Sequence, residues 1–578
     1  MNTQSAAISV QGLCKRFANS QLAAIDEIHT EIAHGSITGL VGPDGAGKTT
    51  LLRMLAGLLQ ADRGSIRVLE LDPAKQSTDL HQVIGYMPQK FGLYEDLTVQ
   101  ENLNLYADLR NVTGAARQES FQRLLAFTDL ARFTSRYAGK LSGGMKQKLG
   151  LACTLLGTPR VLLLDEPGVG VDPISRRELW RMVRELAAGG MTVVWSTAYL
   201  DEAELCDEVR LMSHGKILAS DTPQNLMAQM HGRCLHVRNI AGARRAVLQR
   251  ALRAPEVIDG VIQGANVRLV LAQADVRPAL ATLDAGPEAC FAPTTPRLED
   301  AFISLLGGGP GGDSVLAAVM PQVVLPAEIA PNAVIEARQL SKQFGDFTAT
   351  DKVSFQVARG EIFGLLGPNG AGKSTTFKME CGLLKPSSGQ ALVMGIDLKT
   401  SAAQARQRLG YMAQKFSLYG QLTLAQNLEF FSGIYGLQGK VQREKIAQMV
   451  QVFAFTPYLH TICNELPLGF KQRLALACAV MHEPPLLFLD EPTSGVDPIT
   501  RREFWTHING LADKGVTIMV TTHFMDEAEY CDRIGLVYRG KLIALDTPDA
   551  LKQSVASAAL PNPSMEDAFI ALVEGADA

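Results

Sequence analysis

The sequence predicts an α/β fold that occurs twice along a chain of 578 residues. Apolar stretches suited to buried strands, such as SITGLV and RVLLLD, alternate with stretches of helical periodicity. This alternation is typical of a mainly parallel sheet flanked by helices. A glycine-rich segment that begins at Gly42 returns at Gly367, 325 residues later, and the same offset relates Asp165 to Asp490. We therefore expect two tandem copies of one α/β domain.

The offset between the copies changes near the end of each. The segment EDAFI starts at Glu299 and again at Glu566, 267 residues later instead of 325, so the first copy carries 58 extra residues after Leu226. Short strands around an amphipathic helix predict a small α/β appendage there. Its basic helix, within GARRAVLQRALRA, is expected to present a solvated face, and contact with anionic lipid or a partner is the alternative.

The repeat divides the chain into four parts. We predict a first domain over 1–226, the appendage over 227–306, a linker over 307–332 and a second domain over 333–578. The linker contains GGGPGG and is rich in Gly, Pro and Ala. This composition predicts a flexible span that lets the two copies face each other.

Composition and charge exclude several classes of protein. The formal net charge of −4 argues against a protein that binds nucleic acid over its whole surface, because such proteins carry a basic excess. Nine cysteines without a CxxC pair indicate a reducing, cytosolic setting. The N-terminal segment lacks the pattern of a signal peptide, and no uncharged apolar run reaches the length of a membrane span. Any membrane-spanning part is therefore expected on other chains.

Each copy carries the pattern GxxxxGK[ST] between a predicted strand and a predicted helix. Glycines let backbone N–H groups turn inward around phosphate oxygens, and the helix N-terminus adds positive potential. The lysines are expected to reach the β- and γ-phosphates of ATP, and the hydroxyls of Thr49 and Ser374 to ligate Mg²⁺. A chance glycine-rich turn does not explain two matches in register. The predicted ATP-binding loops are Gly42, Pro43, Asp44, Gly45, Ala46, Gly47, Lys48 and Thr49, and Gly367, Pro368, Asn369, Gly370, Ala371, Gly372, Lys373 and Ser374.

An apolar strand ends in a pair of acids in each copy. The pairs are Asp165 with Glu166 and Asp490 with Glu491. The first acid of each pair is expected to hold Mg²⁺, and the second to orient or deprotonate the water that attacks the γ-phosphate. A surface strand that ends in two acids is the alternative, and the phosphate loop upstream disfavours it.

Both copies resemble the nucleotide-binding domains of the ABC ATPase superfamily over nearly their whole length. Besides the loops and acidic strands, the first copy contains LSGGMKQK from Leu141, which matches the signature motif of that family. The resemblance implies tandem P-loop NTPase domains of the ABC type that bind ATP and Mg²⁺. Its further implications are that Gln89 and Gln414 sense Mg²⁺ and the attacking water, that Asp172 and Asp497 belong to the D-loops, and that Phe17 and Phe344 stack on adenine. For both phenylalanines, a place in the core is the alternative.

The resemblance also implies two composite sites. In this superfamily each ATP lies between the phosphate loop of one domain and the signature motif of the other. The loop of the second copy would then face the signature residues Ser142, Gly143 and Gly144. We expect this site to hydrolyse ATP, because the matched positions are intact: Lys373, Ser374, Gln414, Asp490, Glu491 and His523.

The other composite site departs from the family pattern. Its signature segment is LPLGFKQR, in which Pro467 and Leu468 replace Ser and Gly, and a proline offers phosphate neither a hydroxyl nor an N–H. Ala198 stands where the second copy has the switch histidine His523. Asp44 also replaces Asn369 in the loop, and a carboxylate near phosphates is unfavourable unless it points away. We expect this site, which uses Lys48, Thr49, Gln89, Asp165 and Glu166, mainly to bind ATP; drift without consequence is the alternative.

Further segments resemble the ATPase subunits of ABC-2 type bacterial exporters. These segments are YMPQKFGLYEDLTVQENL and the DEAE that follows the switch position. The resemblance implies a motor subunit, peripheral on the cytoplasmic side of the inner membrane, that docks on separate transmembrane permease subunits and exports drug-like or other hydrophobic compounds. A soluble tandem ABC ATPase acting on the ribosome is the alternative, although the linker here lacks the basic residues that RNA binding needs. A DNA-repair ATPase fits less well, since no long heptad run interrupts either copy.

Overall fold

The computed structural model describes residues 6–17, 23–89, 92–326, 329–414, 418–522, 524–558 and 560–577. The chain forms two compact units. The first unit consists of Met1–His231, Pro296–Leu305 and Gly495–Pro498, and the second of Gly232–Thr295, Leu306–Ser494 and Ile499–Ala578. The appendage therefore belongs to the same unit as most of the second copy.

The first copy is built from nine strands and eight helices within its described residues. The strands are β1 (Ile8–Lys15), β2 (Ile25–Ile32), β3 (Ile37–Val41), β4 (Arg63–Val68), β5 (Ile84–Met87), β6 (Val161–Asp165), β7 (Thr192–Thr197), β8 (Glu208–Ser213) and β9 (Lys216–Asp221). The helices are α1 (Lys48–Leu55), α2 (Ser77–Val83), α3 (Val99–Leu109), α4 (Gly114–Phe127), α5 (Gly143–Thr154), α6 (Pro173–Ala188), α7 (Leu200–Ala203) and α8 (Pro223–Ala228), with 3-10 turns at Ala131–Phe133 and Ala138–Lys140.

Two sheets organise the first copy. The larger has the order β5-β6-β7-β3-β8-β9 and is parallel except for the β8–β9 hairpin. Every residue of β3 and β6 is buried, as expected for parallel strands covered on both faces. A separate antiparallel sheet has the order β2-β1-β4. The larger sheet places the ends of β3, β6 and β7, which carry the predicted functional residues, at one edge.

The appendage is a four-stranded antiparallel sheet with a helix against it. Its elements are β10 (Cys234–Arg238), α9 (Arg244–Leu252), β11 (Val257–Gln263), β12 (Asn266–Leu271), α10 (Leu280–Leu283) and β13 (Cys290–Pro293), and the strand order is β11-β12-β10-β13. Helix α9 buries Val247, Leu248 and Ala251 in a small core of its own. After it, α11 (Leu298–Leu305) belongs to the first unit and α12 (Val315–Val319) to the second.

The second copy repeats the architecture of the first. Its strands are β14 (Ile335–Phe344), β15 (Phe347–Val357), β16 (Ile362–Leu366), β17 (Ser388–Val393), β18 (Ile396–Asp397), β19 (Leu409–Met412), β20 (Leu486–Asp490), β21 (Thr517–Thr522), β22 (Arg533–Tyr538) and β23 (Lys541–Asp546). Its helices are α13 (Lys373–Glu380), α14 (Leu398–Arg406), α15 (Leu424–Ile434), α16 (Gly439–Val452), α17 (Leu468–Val480), α18 (Pro498–Asp513), α19 (Met525–Ala528), α20 (Pro548–Ser554) and α21 (Met565–Asp577), with 3-10 turns at Thr456–Tyr458 and Cys463–Glu465.

The sheets of the second copy match those of the first. The larger has the order β19-β20-β21-β16-β22-β23, and the antiparallel sheet has the order β15-β14-β17-β18. The predicted fold class, two tandem α/β domains with mainly parallel sheets, is thus confirmed. The antiparallel sheets were not anticipated, because β1 and β14 alternate buried and exposed residues with interruptions that obscure a period of two.

The basic helix of the appendage does not present a freely solvated face, contrary to the expectation. Within the second unit, Arg244 donates from Nη2 to Asp532 Oδ1 at 2.6 Å, and Arg245 also pairs with Asp532. Asp259 on β11 pairs with Arg502 of α18 at 3.1 Å, and both side chains are buried. Buried charges are tolerated when they are paired in this way. The appendage is therefore fastened to the second copy by two sets of ion pairs.

Arg244 and Arg245 take the place of an arginine that the first copy provides from its own helix α6. In the first copy, Arg184 pairs with Asp207 at 2.6 Å. The positions 325 residues later are Asn509 and Asp532, so the second copy has no arginine of its own at that point. The appendage supplies the missing positive charge.

The segment predicted as a flexible linker packs along the second copy where it is described. The N–H of Val323 donates to Lys514 O at 2.8 Å, and Arg359 donates to Val323 O at 2.7 Å. A Cβ on Gly510 would lie 2.7 Å from the Cβ of Ala317, so α12 sits directly on α18. The domain boundaries themselves stay predictions.

No helix in the described part of the chain is long and apolar enough to cross a membrane.

A carboxyl group lies in the core of the second copy. Glu380, on α13, is fully buried, and within the described structure neither of its oxygens has a hydrogen-bond partner. Burial raises the pKa of Glu380 well above its ordinary value. The first copy has Leu55 at the matching position, also buried. Burial therefore favours the neutral form of this side chain in the folded protein.

We expect Glu380→Leu to stabilise the second unit, and more so at pH 8 than at pH 5. In the unfolded chain Glu380 ionises above about pH 4.3, while burial favours its protonated form in the folded protein, so its contribution to stability falls as pH rises. The leucine should raise stability at pH 8 by about 2 kcal/mol or more, the usual cost of an unsatisfied buried polar group. The midpoint of guanidinium unfolding at the two pH values measures this.

The matched control is Glu380→Gln, which cannot ionise but keeps a buried polar group. It should lose the pH dependence without the full gain of the leucine variant. A wild-type midpoint that follows pH no more steeply than either variant would contradict the assignment.

Candidate functional site

The phosphate loop of the first copy joins the end of β3 to the start of α1, where its glycines are closely confined. Gly47 has a φ of 103°, and a Cβ there would lie 2.4 Å from Ala24 O. A Cβ on Gly42 would lie 2.2 Å from Met212 O. Since Cβ atoms do not approach backbone oxygens so closely, these positions require glycine. The loop is thereby held with its amides at the N-terminus of α1.

The loop of the second copy has the same confinement. Gly372 has a φ of 102°, and its Cβ would lie 2.3 Å from Ala349 O. A Cβ on Gly367 would lie 2.2 Å from Val537 O. The two loops therefore have one backbone design.

The loop lysines are buried and turned back over their loops. Lys48 donates from Nζ to Gly42 O at 2.7 Å, and Lys373 to Gly367 O at 2.6 Å. Lys48 Nζ also lies 3.4 Å from Glu166 Oε1. Each ammonium group is thus held over the loop, where phosphate oxygens can replace the carbonyls as its partners.

Hydroxyl and carboxylate oxygens converge next to each loop. Thr49 Oγ1 donates to Asp165 Oδ1 at 3.0 Å, and Ser374 Oγ lies 3.5 Å from Asp490 Oδ1. Burial raises the pKa of both aspartates, and hydrogen bonds from the hydroxyls of Thr49 to Asp165 and of Thr521 to Asp490 oppose this rise. The described residues hold no cluster of three or more His, Cys, Asp or Glu side chains suited to a metal. A pair of one hydroxyl and one carboxylate oxygen beside each loop suits Mg²⁺, which takes one or two protein oxygens together with water and substrate phosphates.

The second acid of each pair contacts the predicted sensor glutamine. Gln89 donates from Nε2 to Glu166 Oε2 at 2.5 Å, and Gln414 to Glu491 Oε2 at 2.7 Å. Both glutamates have positive φ, 51° for Glu166 and 48° for Glu491. A non-glycine residue keeps this conformation only where its surroundings hold it, and such residues cluster at functional sites.

The signature segment of the first copy begins helix α5. Ser142 is the N-cap residue, and its hydroxyl accepts from the N–H of Met145 at 3.3 Å. A Cβ on Gly144 would lie 2.4 Å from Ser175 Oγ, so α5 and α6 meet there at glycine distance. The remaining signature residue, Gly143, is the first residue of α5.

The matching segment of the second copy lacks this cap. Helix α17 has Pro467 at the N-cap position, without a side-chain hydrogen bond, and starts at Leu468. Proline has no hydroxyl to cap a helix and no N–H to donate to a phosphate. The departure seen in the sequence therefore falls at the start of the helix.

The switch positions differ between the copies. Ala198 is buried at the end of β7, and the N–H of Tyr199 donates to Thr197 Oγ1 at 2.9 Å. In the second copy, the N–H of Phe524 donates to Thr522 Oγ1 at 3.0 Å in the same way. His523 itself lies outside the described residues. The turns around the two positions thus share one hydrogen bond.

The remaining predicted residues lie at three kinds of position. Phe17 and Phe344 are about half exposed, at 45% and 51%, so neither is part of the core. Asp172 caps α6, accepting from the N–H of Ser175 at 3.1 Å. Asp497 directly precedes α18. The pairing of Ser142, Gly143 and Gly144 with the second loop stays a prediction.

Sequence reasoning overlooked a buried glutamate next to each switch position. Glu202 accepts from Thr197 Oγ1 at 2.7 Å, and burial raises its pKa to about 7. Glu527 accepts from Thr522 Oγ1 at 2.9 Å and also from Thr493. The signal was present in the repeat, since the position that matches Thr493 is Gly168. That difference lies two residues beyond the acidic pair.

We expect nucleotide binding at the first loop to depend on pH through Asp44. Burial is the main reason that the pKa of Asp44 is raised to about 6; Glu166 adds to the rise and Lys48 opposes it. Above pH 6 the carboxylate is charged and repels phosphates. Affinity of the first loop for ATP should therefore fall by about fivefold more between pH 5 and pH 8 than in Asp44→Asn, as expected for about 1 kcal/mol of repulsion.

Titration calorimetry on a Lys373→Met background isolates the first loop for this measurement. The second loop, with Asn369 and isolated by Lys48→Met, controls for protonation of ATP itself. Equal pH dependence of the wild-type first loop and of Asp44→Asn would contradict the role of the carboxylate.

Comparison with known proteins assigns the family. A family model described as ABC transporter matches residues 25–169 and 350–494. The chain is 62% identical to the "Probable multidrug ABC transporter ATP-binding protein YbhF" of Escherichia coli (strain K12), over 99% of this chain and 98% of that protein. It is 40% identical to the "Nod factor export ATP-binding protein I" of Burkholderia orbicola, over 38% of this chain and 73% of that protein.

Solved structures match less than half of this chain. One described as "Structure of ATP binding subunit of ABC transporter" is 29% identical and covers 42% of this chain and 99% of its own, with a TM-score of 0.38. The two matched domains and the full-length relative agree with the phosphate loops described above. The chain therefore belongs to the ABC transporter family and is an ATPase with two ATP-binding domains.

Proposed function

We propose that this chain is the ATP-hydrolysing motor subunit of an ABC-2 type exporter and that its two ATP sites differ in competence. The observation that carries the proposal is the contrast between two otherwise equal site frameworks. Both copies hold a buried loop lysine and a glutamine-bound glutamate, but Ser142 caps α5 through its hydroxyl, whereas α17 has a proline at the N-cap position and no side-chain cap.

Hydrolysis is assigned to the site that uses the loop of the second copy. Glu491 accepts the proton of the attacking water while the water oxygen bonds to the γ-phosphorus and the bond to the β,γ-bridging oxygen breaks. Gln414 donates to one carboxylate oxygen of Glu491 at 2.7 Å and so orients this carboxylate as the general base. Lys373 neutralises phosphate charge, and His523 is assigned the contact to the γ-phosphate.

The hydroxyl of Ser374 and the carboxylate of Asp490 would hold Mg²⁺ in this site, and Thr49 and Asp165 in the other. The cation, when bound, offsets the charge that develops on the phosphate oxygens. Its presence would also favour ionised aspartates, against the effect of burial on their pKa.

The site of the first loop is assigned mainly to ATP binding. Ala198 cannot make the contact that a histidine makes to the γ-phosphate. Pro467 can neither cap α17 through a hydroxyl nor donate an N–H to phosphate. Loss of a charge-assisted hydrogen bond typically costs about 1.5 to 3 kcal/mol, which slows a reaction by roughly ten- to a hundredfold.

The assignment to an exporter is supported by the names of two relatives, one a multidrug transporter ATP-binding protein and the other a Nod factor export ATP-binding protein. A subunit of this kind acts through separate transmembrane subunits and sits on the cytoplasmic face of the inner membrane. The proposed cargo is a drug-like or other hydrophobic compound.

We expect Glu491→Gln to abolish ATP turnover and Glu166→Gln to leave most of it. The two substitutions are isosteric and occupy matched positions, so they control for each other. Steady-state release of phosphate at saturating ATP and Mg²⁺ measures the effect. Equal losses in both variants would refute the difference between the sites.

We expect the tagged chain to recover polytopic membrane proteins in stoichiometric amount from detergent-solubilised cells. The Glu491→Gln variant with ATP should increase the yield, because blocked hydrolysis traps the ATP-bound state. Mass spectrometry identifies the recovered proteins. Recovery of ribosomal proteins and RNA instead would place the chain with the soluble tandem ATPases.

A further inference from the structure

We propose that Thr493 and Glu527 are positioning residues for hydrolysis at the second copy. Together they tie the segment after Glu491 to the residues on both sides of the switch position, here called the switch loop. This inference rests on the proposed assignment of hydrolysis to the site that contains Glu491. Neither residue belongs to the phosphate loop or to the acidic pair.

Each oxygen of the Glu527 carboxylate accepts one hydroxyl. Thr493 Oγ1 donates to Oε1, and Thr522 Oγ1 donates to Oε2 at 2.9 Å. The three side chains are buried, with exposures of 0 to 1%. Arg501 lies nearby, with its Nε 3.7 Å from Oε1, and supplies positive charge. In such a dry setting these hydrogen bonds are strong and geometrically restrictive.

The contact to Thr522 bears on the switch residue. Thr522 directly precedes residue 523, and its hydroxyl also accepts from the N–H of Phe524 at 3.0 Å. The hydroxyl of Thr522 therefore links the residues on the two sides of the switch position, and it donates in turn to Glu527.

The contact to Thr493 bears on the catalytic glutamate. The N–H of Glu491 donates to Thr521 O at 3.0 Å, and this hydrogen bond fixes the N-terminal side of the glutamate to the end of β21. After the glutamate, Thr493 fixes the chain two residues further on. Glu491 keeps a φ of 48°, a conformation that needs support from its surroundings. Thr493 provides that support on the side that Thr521 does not reach.

The first copy shows what the site looks like without this tie. Gly168 stands at the position of Thr493, and a Cβ there would lie only 1.7 Å from Glu202 Oε1. The glutamate occupies the space that a side chain would need. Its Oε1 has no hydrogen-bond partner in the described structure, while Oε2 accepts from Thr197 and from Trp195 Nε1 at 3.0 Å.

Gly168 is thus a second position, besides Ala198, at which the first copy lacks a side chain that the second copy has next to its site. In the first copy, Glu202 holds the switch loop but not the segment after Glu166. In the second copy, Glu527 holds both. A displacement of about 1 Å of a catalytic group can slow a reaction by roughly a hundredfold, so a buried tie between the two loops affects rate more than binding.

The test compares Thr493→Val with Thr493→Ser. Valine keeps the shape of threonine but removes the hydroxyl, and serine keeps the hydroxyl. We expect the valine variant to lose about tenfold in kcat, as for one hydrogen bond to a charged group, with KM for ATP nearly unchanged. Its melting temperature should fall, because Glu527 Oε1 loses its hydroxyl donor, but should stay above the assay temperature. The serine variant should recover most of the kcat.

The matched control is Thr506→Val, in which the same exchange removes a hydroxyl that donates to Arg502 O within α18 at 3.0 Å. It should turn over ATP at the wild-type rate. Wild-type kcat in Thr493→Val would overturn the inference. So would a loss of kcat that serine does not restore, or a melting temperature that falls below the assay temperature.

Glu491→Gln, assayed alongside, separates this inference from the proposed function. If Glu491→Gln keeps turnover, the assignment of hydrolysis to this site fails, and the inference fails with it. If Glu491→Gln abolishes turnover and Thr493→Val does not reduce it, only the role of the tie is wrong.

Discussion

Close contact between the phosphate-loop glycines and neighbouring backbone is the constraint on which the rest of each copy depends. In the first copy the loop lies between Ala24, just before β2 of the antiparallel sheet, and Met212, on β8 of the larger sheet. Any Cβ at Gly42 or Gly47 would push these elements apart. The loop therefore joins the two sheets as well as starting α1, and the second copy repeats the arrangement. The location of the lysines and hydroxyls at the start of each loop helix follows from this contact.

Polar groups at the edge of the larger sheet are held in place by hydroxyl and amide donors and by the loop lysines. The acids at the ends of β6 and β20 are partly withdrawn from water, so they rely on hydroxyl and amide donors when no cation is bound. Thr49, Gln89 and their counterparts supply such donors. This arrangement favours a divalent cation and a phosphate ester as further partners, since both compensate for the loss of solvation.

The duplication has let the two copies diverge without loss of fold. At Ala198 and Gly168, the first copy has smaller residues than the second, which has His523 and Thr493 at the matching positions. The second copy has Asn509 at the position of Arg184, and the appendage supplies Arg244 and Arg245 to Asp532, the counterpart of Asp207. Helix α18, which follows Asp497, is bound to the appendage through the buried pair of Arg502 and Asp259. The second copy is therefore completed by residues encoded within the first.

The sequence by itself determined the repeated α/β fold, the phosphate loops and the acidic strand ends, because these depend on local patterns: glycine spacing, apolar runs and the residue after each strand. It also located Pro467 and Ala198 by simple offset. Only the tertiary structure decided where the appendage packs, since Arg244 and Asp532 are almost 300 residues apart and ion pairs leave no periodic signal. The contact between Thr493 and Glu527 also needed the tertiary structure, although the repeat marks the exchange of Thr493 for Gly168. Burial converts an ordinary threonine and glutamate into a fixed contact, and burial is a property of the packed chain.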